Sequence, residues 1–316
     1  MLRRQLLIGL CGSSLIAFCW PNWVPGLDPF KATLPVLSYL IALTMFAIGW
    51  MLPREEVNQL KAAWRLVLIG TAIQYITMPL LAFGLAHAFG LKGDYLIGVV
   101  MVGCVPGAMA SNVLTLNARG NVSFSVSLTT MATLLSPIVV PWVMKLALNG
   151  AEVTIDAGKV SLQLLLTVVL PVLSGHLVNR WLKTSQRRSE AWGLLIANVS
   201  ILWIIAVVVA NNREPLSRFR VDLLGVLLVL NLLGYAVGYV SGWALRLAEP
   251  LKRALTLEIG MQNAGLGATL AAVLFVHRPE IAIAPAMYTF GCMLTGTALA
   301  RSWGFWDSRK SSQPTE

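Results

Sequence analysis

The chain has 316 residues, of which 57% are hydrophobic and only 12% are charged. A soluble globular domain carries about 25% charged residues, so this composition excludes that class and indicates an integral membrane protein. The formal net charge of +10 does not indicate a nucleic-acid-binding protein, because that would require a basic face on a soluble domain.

Apolar segments long enough to cross a bilayer recur along the whole chain. About 20 apolar residues are needed for one crossing, and by that measure the sequence predicts ten spans. Their approximate bounds are 5–20, 33–52, 64–88, 95–117, 122–148, 160–181, 191–210, 221–247, 254–276 and 281–302. Breaks are predicted at Pro21, Pro25, Pro53, Asn149-Gly150 and Pro279. We expect an all-α membrane protein that retains its first span, with a polar, disordered tail after Trp306.

The distribution of basic residues predicts the orientation of these spans. Ten is an even number, so both termini lie on one side, and 16 of the 24 Lys and Arg residues fall on that side. Cytoplasmic loops carry the excess of Lys and Arg. We therefore expect a multi-pass protein of the cell's inner (plasma) membrane with both termini in the cytoplasm.

Ten spans also divide into two sets of five, in residues 1–149 and 150–304, followed by a cytoplasmic tail in residues 305–316. Because five is odd, the second set would run inverted relative to the first, and inverted repeats are common in secondary transporters. Span eight carries Gly234, Gly238 and Gly242 at four-residue intervals, which predicts close contact with a neighbouring helix.

The two spans that would correspond in such repeats are also the most interrupted ones. Span four contains Gly103, Pro106 and Gly107, and proline removes a backbone donor from the helix. Span nine contains a glycine-rich stretch at residues 258–267. Irregular backbone at membrane depth is tolerated only where it is buried in protein or lines a watery cavity. Paired breaks of this kind indicate a transport site.

Span nine also carries Glu258, the acidic residue that lies well inside a predicted span. A charge at that depth is costly and is by default a functional hypothesis. Gln262 would share its helical face, and the other break offers oxygen ligands from Ser111 and Asn112. Three further polar residues lie within spans three and five: Gln74, Ser125 and Thr129. Hard oxygen ligands suit an alkali cation.

Other interpretations of these residues remain open on the sequence alone. Glu258 could extend toward Lys252 or Arg253 at the helix end. The hydroxyl groups could bond to their own helix backbone, as membrane Ser and Thr residues commonly do. Gln74 could serve only to join two helices.

The second half-helices would begin near residues 110–112 and 263–265, where free backbone amides carry partial positive charge. Such helix starts suit an anion. An anionic substrate driven by a cation therefore fits the residues.

Three segments together resemble signatures of the bile acid:sodium symporter family. They are Pro106-Gly107-Ala108-Met109-Ala110-Ser111-Asn112-Val113, residues 118–126 (ARGNVSFSV), and Glu258-Ile259-Gly260-Met261-Gln262-Asn263. The resemblance implies a ten-span fold in which broken spans four and nine cross. It also implies a panel domain made of spans one, two, six and seven, and a core domain made of spans three to five and eight to ten.

The resemblance further implies two sodium sites that share Glu258, with sodium as the coupling ion and no cofactor. The first would use Ser111, Asn112, Ser125, Thr129 and Glu258. The second would use Gln74, Glu258, Gln262 and the carbonyl groups of Ile259 and Met261. The organic anion would bind beside the crossing, at Met109, Ala110, Asn263 and Ala264.

One departure from the family bears on the substrate. Many prokaryotic members read Pro-Gly-Gly-Thr-Ala-Ser-Asn, whereas Ala108 and Met109 replace the second Gly and the Thr here. A bile acid, pantoate, a keto acid and a sulfated sterol all remain open as substrates. Proton coupling through Glu258 and an uncoupled channel or facilitator are the alternatives to sodium coupling. An enzyme is not expected, because the chain carries no HExxH, nucleophile elbow or phosphate loop. The expected partners are the anion, sodium and membrane lipid.

Overall fold

The computed structural model describes residues 2–52, 63–148, 155–182, 186–217 and 220–311, which form helices and no strands. The predicted breaks at Pro53 and Asn149-Gly150 lie outside these residues. We number the α-helices in chain order: α1 Leu2–Trp23, α2 Pro29–Ala32, α3 Leu37–Met51, α4 Trp64–Ala88, α5 Gly93–Cys104, α6 Ala110–Asn117, α7 Val122–Ala147, α8 Ala157–Leu164, α9 Leu170–Leu182, α10 Gln186–Asn211, α11 Arg213–Ser217, α12 Val221–Ala244, α13 Glu249–Gly260, α14 Ala264–Leu274 and α15 Ile283–Ser311. Single 3₁₀ turns cover Leu34–Val36 and Pro279–Ala282, and a π-helical turn, Leu165–Val169, joins α8 to α9.

Seven helical segments of the described chain are long and apolar enough to cross a membrane. They are Leu34–Met51, Trp64–Ala88, Val122–Ala147, Ala157–Trp181, Arg188–Asn211, Val221–Ala244 and Pro279–Phe305. Predicted span one corresponds to α1, and predicted spans four and nine correspond to the shorter pairs α5–α6 and α13–α14. The all-helical membrane class is confirmed, whereas ten crossings and their arrangement as inverted repeats stay predictions.

The break predicted at Pro21 was wrong, because α1 continues through it to Trp23. Pro21 lacks the N–H that would bond to the carbonyl of Ala17, four residues earlier. That carbonyl instead accepts a hydrogen bond from Nε of Arg213 at 2.8 Å. A partner from another helix therefore compensates for the proline.

The tail predicted to be disordered after Trp306 is also partly wrong. Helix α15 continues to Ser311, and only residues 312–316 of that tail lie outside the described chain. Extending an existing helix adds one hydrogen bond per residue without a new nucleation step. The polar composition of these residues therefore does not prevent them from extending the helix.

Helix α3 packs on α9 and α10, α10 also packs on α1, and α12 packs along α13. The first group contains the predicted panel spans, although the division into two domains stays a prediction. The glycine face of α12 makes the predicted close contact with α13: a Cβ on Gly238 would lie 2.6 Å from the Cα of Thr256. Small residues thus let α12 approach the helix that carries Glu258.

Candidate functional site

The two predicted breaks meet face to face. The N–H of Ala108 donates to the carbonyl of Met261 at 2.7 Å, and the N–H of Asn263 donates to the carbonyl of Pro106 at 2.7 Å. Gly107 and Gln262 consequently face each other as a single antiparallel bridge. Backbone groups released by the ends of α5 and α13 thereby satisfy one another, as buried irregular backbone requires.

Glu258 lies beside this bridge and is only 1% exposed. The hydroxyl of Ser111, on α6, lies 2.5 Å from Oε2 of Glu258. The hydroxyl of Thr129, on α7, lies 2.7 Å from Oε1 and 2.8 Å from Oε2. Two helices therefore bring hydroxyl groups to a carboxylate on α13, which is distant from both in sequence.

A second layer of oxygens extends from this carboxylate. The hydroxyl of Ser125 donates to Oδ1 of Asn112 at 2.8 Å, and Oγ1 of Thr129 lies 3.2 Å from the same atom. Thr115, which the sequence did not indicate, donates to Oγ of Ser125 at 3.2 Å. All these residues are buried. The five residues predicted for the first sodium site thus form one continuous polar cluster.

Several residues predicted for the second site also meet at the bridge, of which Gln262 is a member. Nε2 of Gln74 donates to Oε1 of Gln262 at 3.3 Å, and Nε2 of Gln262 donates to the carbonyl of Ile259 at 2.8 Å. A Cβ placed on Gly107 would lie near both Glu258 and Gln74, at 2.0 and 3.3 Å. The carbonyl of Met261 also belongs to this region, but it accepts the bridge hydrogen bond from Ala108.

These contacts contradict the simpler interpretation of Glu258 as a helix-end residue that reaches a nearby base. Lys252 pairs with Glu249, and Nη1 of Arg253 donates to the carbonyl of Ala118 at 2.8 Å. Among the described residues, no Lys, Arg or His forms an ion pair with Glu258. The carboxylate is therefore surrounded by neutral donors.

The chemistry of this cluster suits a hard monovalent cation. It offers one carboxylate with hydroxyl, amide and carbonyl oxygens, which are the ligand types that hard cations prefer. The described residues contain no group of three or more His, Cys, Asp or Glu side chains that would hold a metal such as zinc. This set of donors is therefore the type that an alkali cation binds.

The predicted substrate residues lie at the starts of α6 and α14. Met109, Ala110 and Asn263 are partly exposed, whereas Ala264 is buried. Oδ1 of Asn263 caps α14 by accepting from the N–H of Leu266 at 3.1 Å. The amides of Met109 and Ala110 have no hydrogen-bond partner among the described residues, as expected at a helix start. Each of these two helices therefore begins close in sequence to one residue of the bridge, α6 after Gly107 and α14 after Gln262.

Two residues that donate hydrogen bonds to the backbone at the break in span nine were not predicted from the sequence. Nδ2 of Asn231, on α12, and the hydroxyl of Tyr288, on α15, both donate to the carbonyl of Gly260, at 2.7 and 2.8 Å. Asn231 was detectable as an amide within predicted span eight, a position where such a group needs a partner. Tyr288 gave no comparable signal.

Comparison with known proteins finds similarity along most of the chain. Residues 38–219 match the family model described as the Sodium Bile acid symporter family. The chain is 33% identical over 291 residues to the protein of Bacillus subtilis named "Uncharacterized sodium-dependent transporter YocS", covering 92% of this chain and 88% of that one. It is 28% identical over 298 residues, 94% of this chain and 70% of the other, to the probable sodium/metabolite cotransporter BASS1, chloroplastic, of Arabidopsis thaliana. It is 30% identical over 249 residues to the ileal sodium/bile acid cotransporter of Oryctolagus cuniculus, covering 76% of this chain and 70% of that one.

Proposed function

Because this chain belongs to the Sodium Bile acid symporter family, we propose that it is a sodium-coupled symporter that imports a small organic anion by alternating access. It is a multi-pass membrane transporter of a sodium-dependent family, and the members of that family are transporters rather than enzymes. The observation that carries the proposal is the buried Glu258 at the paired breaks, surrounded by neutral oxygens.

In this proposal, one sodium ion binds among Ser111, Asn112, Ser125, Thr129 and Glu258. A second binds among Gln74, Glu258, Gln262 and the carbonyl groups of Ile259 and Met261. Support comes from the continuous contacts within the first set and from the burial of Glu258. In the second set, hydrogen bonds join Gln74, Gln262 and the carbonyl of Ile259. A buried carboxylate without a cationic partner is costly, so a sodium ion would relieve that cost.

The organic anion would then bind beside the bridge, at Met109, Ala110, Asn263 and Ala264. The N-terminal ends of α6 and α14 would supply the positive potential, since helix starts favour anions. With Glu258 neutralised by sodium, the anion would no longer face a bare negative charge nearby. This electrostatic dependence is the proposed basis of coupling, because a ligand shifts an equilibrium only by its different affinities for the two states.

Alternating access requires that two groups of helices move relative to each other. We propose that the panel, spans one, two, six and seven, and the core, spans three to five and eight to ten, are these groups. The packing of α3 on α9 and α10, and of α10 on α1, supports the first group. The proposed setting is the plasma membrane with both termini in the cytoplasm, as the Lys and Arg distribution predicts.

The test is uptake into proteoliposomes that contain the purified full-length chain. Labelled bile acid, pantoate, keto acid and sulfated sterol are each offered with an inward sodium gradient or with choline instead. We expect accumulation of at least one anion with sodium alone. Equal uptake with choline would contradict sodium coupling. Uptake that follows a pH gradient without sodium would establish proton coupling instead.

A further inference from the structure

The carbonyl of Gly260 is one of the backbone groups that the end of α13 leaves without a helical partner. In a continuous helix it would accept from the N–H of Ala264, four residues on. That N–H instead donates to the carbonyl of Gln262 at 2.8 Å. A buried carbonyl must find another donor, because leaving it unpaired costs about 1–3 kcal/mol.

Two side chains on separate helices supply that donor. Asn231 and Tyr288 are each only 1% exposed, and their Nδ2 and hydroxyl groups lie 2.7 and 2.8 Å from the Gly260 oxygen. They also contact each other, at 3.3 Å. The oxygen of Gly260 is thus fixed from both α12 and α15.

The orientation of the Asn231 amide is itself determined by a neighbour. Oγ1 of Thr295 donates to Oδ1 of Asn231 at 2.5 Å, so the amide nitrogen must face Gly260. The ring of Tyr235 packs against the same point, since a Cβ on Gly260 would lie 2.0 Å from its Cδ1. Gly260 therefore has little freedom to move toward α12.

Gly260 lies between the backbone carbonyl groups that are proposed to bind the second sodium ion. Glu258 and the carbonyl of Ile259 precede it, and the carbonyl of Met261 follows it. Holding the Gly260 carbonyl fixes the rigid peptide plane that it shares with the Met261 N–H. The planes that carry the Ile259 and Met261 carbonyls are attached at the two ends of that plane. A shift at this carbonyl would therefore rotate the neighbouring carbonyls that are proposed to face sodium.

We propose that Asn231 and Tyr288 are positioning residues for the second sodium site: they hold the Gly260 carbonyl so that the Ile259 and Met261 carbonyls face the ion. The proposal rests on the sodium-coupled function above. Neither side chain binds sodium. Their effect on sodium affinity resembles that of outer-shell partners of metal ligands, whose loss commonly costs 10–100-fold in affinity.

The test measures sodium affinity separately from stability. The melting temperature of purified, detergent-solubilised protein is recorded over a sodium titration at constant ionic strength with choline. Asn231→Leu replaces the amide by an apolar side chain of similar size and so removes the donor. We expect it to raise the sodium concentration for half-maximal stabilisation by about tenfold or more. Tyr288→Phe, which leaves Asn231 in place, should produce a smaller shift in the same direction.

Asn212→Leu is the matched control. Asn212 is also 1% exposed, and its Nδ2 also donates to a backbone carbonyl, that of Val208 at 2.8 Å. It directly follows α10, and this hydrogen bond is to the last turn of that helix. This variant should lower the melting temperature equally in sodium and choline, without changing the half-maximal sodium concentration.

The possible outcomes distinguish the existence of the sodium site from the positioning role of Asn231 and Tyr288. If the wild type shows no sodium-specific stabilisation, the sodium site fails and this inference fails with it. In a second outcome, sodium stabilises the wild type, but Asn231→Leu and Tyr288→Phe have the same half-maximal sodium concentration as Asn212→Leu. That result overturns the positioning role alone and shows that the two residues are structural. Should Asn231→Leu not fold, Tyr288→Phe decides by the same comparison.

Discussion

Replacing Gly107 by Ala tests whether the backbone bridge sets the position of Glu258. An ideal Cβ on residue 107 would lie 2.0 Å from Oε1 and 2.7 Å from Cδ of Glu258, and 3.3 Å from Nε2 of Gln74. Cβ contacts below 3.0 Å are essentially never found, and ordinary contact begins at 3.4 Å. The carboxylate must therefore move by about 1 to 1.4 Å, since backbone on both sides of the bridge restrains residue 107.

A displacement of that size exceeds the tolerance of a binding site, in which groups must be held within about 0.5 Å of their working positions. It would also strain the contacts of Glu258 with Ser111 and Thr129, now 2.5 and 2.7 Å long. We expect Gly107→Ala to weaken sodium binding at least about tenfold, which corresponds to about 1.4 kcal/mol. The expected cause of this weaker binding is the steric clash of the new Cβ. Backbone strain is not the cause, because Gly107 is not among the described glycines with positive φ.

The assay is isothermal titration of sodium into the purified variant, with uptake in proteoliposomes as a second readout. Gly84→Ala is the control, because Gly84 lies within α4 and a Cβ there would meet no atom within 4 Å. That variant should bind sodium like the wild type. Wild-type sodium affinity in Gly107→Ala would refute the assignment of Glu258, at its present position, as a sodium ligand.

Further substitutions rank the contributions of individual side chains. Glu258→Ala should abolish sodium dependence of uptake, because it removes the charge that both proposed sites share. Thr129→Val should weaken sodium binding less than Glu258→Ala but more than Gln74→Ala, because the Thr129 hydroxyl lies within 2.8 Å of both carboxylate oxygens; a reversed order in calorimetry would contradict the geometry. Burial favours a higher pKa for Asp28, but its hydrogen bonds, foremost that from Arg213, hold the pKa below the ordinary value of 3.8. The stability contributed by that ionised group is therefore present above about pH 4 and lost as the pH falls through the lowered pKa; Asp28→Asn should destabilise the protein at neutral pH and converge with the wild type in acid.

Ser136→Ala provides a control for the hydroxyl substitutions. Ser136 is buried on α7, like Thr129, but its Oγ donates to the carbonyl of Thr133 in its own helix at 2.8 Å. Sodium affinity should not change in this variant. For Asp28, thermal melts across the acid range provide the check, and a constant difference between variant and wild type at all pH values would contradict the ionised pair.

The polar residues of the cluster could be predicted from the sequence because polar side chains are rare within membrane spans. Glu258 and Gln74 stand out in apolar surroundings, since either group must find a partner when buried there. The break in span four was predicted from Pro106 and the glycines around it, because proline lacks the backbone N–H that a continuous helix requires. Burial of Glu258 and its contacts with Ser111 and Thr129 agree with these predictions.

Sequence patterns could not reveal features that depend on contact between distant helices. The antiparallel bridge between Gly107 and Gln262 joins backbone atoms, which carry no residue-specific signal. Arg213 compensates for Pro21 only because the chain brings α10 and α11 against α1. The support of Gly260 by Tyr288 likewise depends on the packing of α15. These are tertiary facts that local propensity does not encode.

The most direct test of sodium coupling at the paired breaks is equilibrium binding of radioactive sodium to the purified wild type and Glu258→Ala. Saturable binding to the wild type, displaced by unlabelled sodium but not by potassium and lost in Glu258→Ala, is the result that we predict. Equal sodium binding by the two proteins would contradict the proposal, because it would show that the buried carboxylate is not a ligand.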